Sequence, residues 1–163
     1  MMATKPQTLA KKLKYTVPRI RMCLVTEGGG VGDLHLVRTP EDAARFLQPL
    51  KHESEEHFVS LHLNSRHEII GIHEVSHGTL SASLVHPREV FKAALLANSH
   101  AILVCHNHPS GSSLSPSAED IDTTNQLLSA GKLLGVSVLD HLIMSPIHDV
   151  YSLRENHPEL WKS

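Results

Sequence analysis

Apolar and polar positions along this chain recur in patterns that read as interleaved strands and helices. Thr39-Pro40-Glu41-Asp42 supplies an N-cap, a proline at the first helical position and early acids, and Ala43, Ala44, Phe46 and Leu47 carry the helix to about Leu50. From Phe58 to Leu63 the period is two, with Phe58, Ser60 and His62 on one side and Val59, Leu61 and Leu63 on the other, which predicts a strand. Asn64 to His67 reads as a turn, and Glu68 to Val75 as the returning strand of a hairpin. Gly78 to Val85 is a further short extended segment. Pro87 opens a helix whose Val90, Phe91, Ala94 and Leu95 share a face and which Asn98 ends. Ala101-Ile102-Leu103-Val104-Cys105 is an unbroken apolar run, the pattern of a central strand covered on both faces. From about Pro116 a helix runs to Leu134, with Ile121, Leu127, Leu128 and Leu134 facing inward and Gly135 as the stop; Val136 to Met144 and Val150 to Leu153 read as closing strands. The fold class is α/β in the sense of a mixed α+β sheet flanked by helices.

The first part of the chain is less informative. Met1 to Lys14 carries Lys5, Lys11, Lys12 and Lys14 with little apolar content and reads as a frayed tail. Tyr15 to Val25 reads as a strand interrupted by Pro18. Gly28-Gly29-Gly30-Val31-Gly32 lacks the Lys-Ser/Thr of a phosphate loop and is a turn. The expected organisation is therefore a tail and short extended segment over 1–38, one domain over 39–155, and a short tail over 156–163.

Composition narrows the function classes. With 163 residues and 40% hydrophobic content the chain can build one compact core. Fifteen basic against 17 acidic residues, a formal charge of −2, exclude the strongly basic balance of a nucleic-acid coat. No apolar run approaches the roughly 18 residues of a membrane span, and Met1 to Lys14 has no apolar secretory block, so a cytoplasmic location is expected. Only Cys23 and Cys105 are present, which fits a reducing compartment better than a disulfide framework.

The abnormal count is 14 histidines. At that frequency a His-x-His triplet arises roughly once by chance, so it needs companions before it counts as a site. Here it has them. His106-Asn107-His108-Pro109-Ser110-Gly111 joins the central strand to a loop, and Ser115-Pro116-Ser117-Ala118-Glu119-Asp120 opens the next helix. In an extended segment residues two apart project to one side, so His106 and His108 can share an ion, with Asp120 folded back from the first helical turn. Two imidazoles and a carboxylate suit zinc and leave a fourth tetrahedral position for water. Read separately, Ser117-x-x-Asp120 is also a helix capping box and each histidine an ordinary loop residue.

These residues resemble the JAB/MPN metallohydrolase domain with its JAMM signature, in the version found in bacterial RadC-like proteins. The resemblance rests on Val85-His86-Pro87-Arg88-Glu89, the His106 to Gly111 stretch, Ala130-Gly131-Lys132-Leu133-Leu134-Gly135 and Val138-Leu139-Asp140-His141, and covers roughly Pro40 to Leu153. It implies a three-layer, cytidine-deaminase-like architecture. It also implies that His106, His108 and Asp120 are zinc ligands, that Ser117 is the serine preceding the aspartate, and that Glu56 is the general base. Read alone, Glu53 to Glu56 is a solvated acidic run, and Glu68, Glu74 and Glu89 are other acids nearby. Two departures stand out. Ser112-Ser113-Leu114-Ser115 occupies the place of three family residues, and nothing in Met1 to Thr39 resembles the helix-hairpin-helix region of longer RadC-like proteins.

The resemblance further implies amide hydrolysis by a zinc-activated water, with Glu56 moving the proton and Ser117 helping to hold the developing oxyanion. Asn107, Ser110 and Asp140 are expected to orient ligands or loops. A peptide or protein is the substrate class, a homodimer the assembly to look for, and nucleic acid is not expected to bind through this domain alone. The alternatives are a noncatalytic MPN-type interaction module that keeps its metal for stability, and a DNA-repair-associated accessory protein. The literal His-Asn-His is no nuclease motif, because those spread their residues over a hairpin and a helix.

Overall fold

The computed structural model describes residues 35–78, 85–111, 114–148 and 150–162. The strand expected at Tyr15–Val25, the glycine turn at 28–32 and most of the extended segment at 78–85 lie outside the described residues.

In chain order the elements are α1 (Pro40–Phe46), β1 (His57–Leu63), β2 (Ile69–His77), α2 (Pro87–Leu96), β3 (Ala101–Asn107), α3 (Ala118–Leu134), β4 (Ser137–Met144), β5 (Val150–Ser152) and α4 (Leu153–Asn156), with 3-10 turns at Gln48–His52 and Pro158–Lys162. Thr39 caps α1 through a complete capping box with Asp42. The helix ends at Phe46 rather than near Leu50. Pro49 has no N–H to continue the ladder, and the chain tightens into the 3-10 turn.

The five strands form one sheet in the order β2-β1-β3-β4-β5. β1 pairs antiparallel with β2 and with β3, β4 pairs antiparallel with β5, and β3 with β4 is the parallel pair, joined by the α3 crossover. β3 is central and buried at every position. Its two faces enter different cores. Leu103 and Cys105 join Val59, Leu61, Leu63, Leu142 and Met144 beneath Ala43, Ala44, Leu47 and Leu50, while Ile102 and Val104 join Phe58, Phe91, Ala94, Leu127 and Val138 beneath α2 and α3. The result is a mixed sheet between helical layers, consistent with the JAB/MPN α+β fold.

The parallel pair contains a register shift: Ile102 faces Val138, but Val104 faces His141. β4 thus carries one extra residue, a bulge that reverses which of its side chains meet α3. Val138 lies in the α2–α3 core, whereas Leu142 and Met144 lie in the α1 core. His141 is thereby turned to the α3 side and Asp140 away from it. Beyond β5, Ser152 caps the short α4 where continued strand was expected, and Trp161 Nε1 donates to the Val138 carbonyl at 2.9 Å.

Candidate metal centre

Buried β3 delivers His106, which has no exposed surface, and the chain leaves the sheet at His108, whose N–H donates to the Met144 carbonyl at 2.8 Å. Gly111 N–H closes the following turn onto the His108 carbonyl at 3.1 Å, and Gly111 adopts φ 65°, where a side chain would be strained. His106 Nε2 lies 3.0 Å from His108 Nε2 and 3.3 Å from Asp120 Oδ1, and His108 Nε2 lies 4.0 Å from Asp120 Oδ2. The longer loop between His108 and Asp120 leaves this convergence intact.

Two readings of Ser117-x-x-Asp120 turn out to be one. Ser117 Oγ accepts from Asp120 N at 3.1 Å as the N-cap of α3, while Ser117 N and Oγ donate to Asp120 Oδ2 at 2.7 and 2.8 Å. The capping box holds Oδ2, leaving Oδ1 toward His106. The cap is what aims the carboxylate.

Behind His106 lies a row of buried polar groups. His106 Nδ1 is 2.8 Å from His141 Nε2, His141 Nδ1 is 2.7 Å from Thr124 Oγ1, and Thr124 Oγ1 donates to the Asp120 carbonyl at 2.6 Å. Phe58 stacks on His106 and packs edge-on against His141. Burial pushes both imidazoles down, for His141 well below the usual histidine range; the Asp120 carboxylate opposes the shift at His106. Burial therefore favours the neutral form of both rings, the form in which an imidazole ligates a metal. Sequence reasoning missed Thr124, one helical turn beyond Asp120 on the same face, and gave His141 no role.

Glu56 precedes β1 and is half-buried, whereas Glu53 and Glu55 are exposed. Desolvation raises its carboxyl above the ordinary value, with His108 lowering and Asp120 raising it further. The Glu56 carboxyl thus feels the charges of His108 and Asp120. Its neighbours are held by Asn107, which is fully buried: Asn107 Nδ2 donates to the Glu55 carbonyl at 2.9 Å, and His57 N donates to Asn107 Oδ1 at 2.7 Å. The other acids have partners elsewhere: Glu74 with His57, Glu89 with Arg88 and Lys92, Glu68 with Asn64 and Arg66. Asp140 sits apart from the cluster, accepting from His141 N, Arg154 N and Ser152 Oγ at the β4–α4 junction. Ser110 is an exposed turn position. A cavity of about 400 Å³ lined by Arg38, His67, Asp140 and Arg154 lies on the α1 side.

Among the described residues, His106, His108 and Asp120 are a group of three able to hold one metal ion, with one ligand atom from each all within 4.8 Å of one another. Tetrahedral zinc with bonds of about 2.0 to 2.1 Å would space its ligand atoms by about 3.3 Å. The 3.0 and 3.3 Å spacings from His106 Nε2 to His108 Nε2 and to Asp120 Oδ1 lie close to that value, so the residues fit the ion. A family profile described as RadC-like JAB domain matches residues 37–158.

The chain belongs to the RadC-like JAB family. This RadC-like JAB domain is 43% identical over 116 residues to a UPF0758 protein of Geobacillus thermodenitrificans, covering 71% of this chain and 51% of that relative. It is 47% identical over 120 residues to a UPF0758 protein of Alkaliphilus metalliredigens, covering 73% of this chain and 51% of that one. A Staphylococcus haemolyticus relative, UPF0758 protein SH1266, is 49% identical over 109 residues, 66% of this chain and 47% of its own length. The chain spans about half the length of these curated relatives. Among the described residues, no helix of this RadC-like JAB domain is long and apolar enough to cross a membrane.

Proposed function

We propose that this domain is a zinc-dependent metallohydrolase of JAMM type that cleaves an amide bond in a peptide or protein. The observation that carries this reading is the convergence of His106, His108 and Asp120, and the half-buried Glu56, whose carboxyl feels His108 and Asp120, supports it. Three protein ligands leave one coordination position open, which is the arrangement of a catalytic rather than a structural site. The chemistry a zinc ion supplies there is Lewis-acid polarisation of a water and a carbonyl, bringing the water's pKa toward neutrality. Glu56, with its carboxyl raised by burial, takes the proton from the attacking water and hands it to the leaving amine. Asn107 holds the backbone on either side of Glu56 and so keeps its carboxylate near the reacting centre. Ser117 keeps Asp120 in its ligating pose through its N–H and its hydroxyl, and that hydroxyl would have to turn from Asp120 Oδ2 to donate to the oxyanion.

Zinc analysis of the purified chain together with Glu56→Gln tests the proposal. The expected result is stoichiometric zinc in both proteins, amide hydrolysis by the parent on a peptide and isopeptide library, and loss of roughly two to four orders of magnitude in the variant. An unaltered rate would remove Glu56 from the mechanism. A folded, zinc-loaded parent that cleaves nothing in the library would favour the interaction module.

A further inference from the structure

We infer that the Asp120 backbone carbonyl, acting through Thr124 and His141, dictates which nitrogen of His106 carries its proton, making Thr124 and His141 positioning residues for the ligand set. The row His106–His141–Thr124–Asp120 contains one hydrogen whose direction chemistry alone decides. A carbonyl oxygen only accepts, so the Thr124 hydroxyl donates into Asp120 O, at 2.6 Å, the back-bond a helical threonine makes one turn down. That proton being committed, Thr124 Oγ1 has only lone pairs to offer His141 Nδ1 at 2.7 Å, and Nδ1 must carry the hydrogen.

His141 has no exposed surface and, among the described residues, no ion pair with a carboxylate, so it carries a single proton and its Nε2 is bare. Across 2.8 Å that bare nitrogen needs a donor, and His106 Nδ1–H is the group facing it. The remaining nitrogen of His106, Nε2, then presents its lone pair toward His108 Nε2 and Asp120 Oδ1. Asp120 thus enters the site twice, its carboxylate as a ligand and its carbonyl as the origin of the order that prepares another ligand. The β4 bulge is a condition of this chain of bonds, because without it His141 would face the α1 core.

The metal half of this inference rests on the proposed zinc site; the tautomer half belongs to the chain without any ion. Both are read by long-range ¹H–¹⁵N spectra of the histidine rings in the metal-free protein and by zinc affinity from chelator competition, for the parent, Thr124→Val and Thr124→Ser. The expected parent spectrum has His106 and His141 both protonated at Nδ1. Thr124→Val keeps the shape but cannot accept. It should move both rings toward the other tautomer and weaken zinc about 10- to 100-fold, while Thr124→Ser should restore the parent spectrum and affinity. A parent His106 protonated at Nε2 alone, or a folded Thr124→Val with unchanged tautomers and affinity, overturns the inference. If the parent binds no zinc yet shows both Nδ1–H forms, the ordering stands and the proposed metallohydrolase falls.

Discussion

Gly131 offers a stability test in which local propensity and tertiary packing predict opposite signs. It lies on the buried face of α3, and a Cβ built there would stand 2.5 Å from the Val136 carbonyl oxygen and 3.2 Å from both Phe91 Cζ and Val138 Cγ2. The two side chains can yield by a few tenths of an ångström. The carbonyl has less freedom, because Val136 N is bonded to Gly131 O at 3.0 Å in the tight passage from α3 to β4. In an exposed helix, alanine in place of glycine would stabilise by about 1 kcal/mol. Overpacking costs about 1 to 3 kcal/mol, and contact with backbone belongs at or above the upper end. Gly131→Ala should therefore destabilise by about 2 kcal/mol net, a fall in Tm of about 4 to 8 °C for a chain of this size. Urea and thermal melts followed by circular dichroism measure it, with Ser129→Ala on the exposed side of the same helix as control. A Gly131→Ala protein as stable as the parent would refute the packing argument and return this position to ordinary helix propensity.

Three more outcomes are expected. Asn107→Ala leaves the Glu55 carbonyl and the His57 amide unpaired, and should cost on the order of 2 kcal/mol and speed hydrogen exchange at His57 N–H; unchanged protection there would show that the bond is dispensable. Ser152→Ala removes both the cap of α4 and the hydroxyl at 2.6 Å from buried Asp140, and a loss below about 0.5 kcal/mol in urea melts would contradict the expected 1 to 3 kcal/mol. His62 is buried, its Nε2 has no partner, and desolvation followed by the His73 charge pushes it down to about 4 from 6.5. Between those values the unfolded chain holds the extra proton, so this contribution is complete above about pH 6.5 and is lost as the pH falls toward 4. In chelator-treated protein, His62→Leu should show a shallower decline of stability over that window, and superimposable parent and variant curves would remove His62 as a source.

Much of this architecture was legible in the sequence because one face of each element is apolar at the right period. Val59, Leu61 and Leu63 do share a core, and β3 is central. The His106, His108 and Asp120 cluster was legible for a related reason, since a two-residue repeat at a strand end and a helix N-terminus are local geometries. What failed to show was non-local. The buried face of α3 is Asp120, Thr123, Thr124, Leu127 and Gly131, whereas Leu134 is 43% exposed. Choosing inward positions by hydrophobicity found Leu127 and Leu128, which do pack on the core, but misplaced Leu134 and missed the polar residues by which the first turns serve the cluster. The β4 bulge left no mark in the alternation of Val136 to Met144, and without it His141 could not be assigned a side. Asn107 was expected to orient ligands or loops, but which groups it holds did not show, because Glu55 and His57 lie some fifty residues upstream at the start of another strand.

Only Asn107 separates His106, on β3, from His108 just past the strand's end, whereas the carboxylate arrives only with α3. For the proposed zinc site, a melted chain would therefore keep a two-imidazole hold on the ion, and the stabilisation the ion confers would measure only the margin of the native grip over that residual one. In the proposed site, docking of α3 would then be the step that completes the chelate.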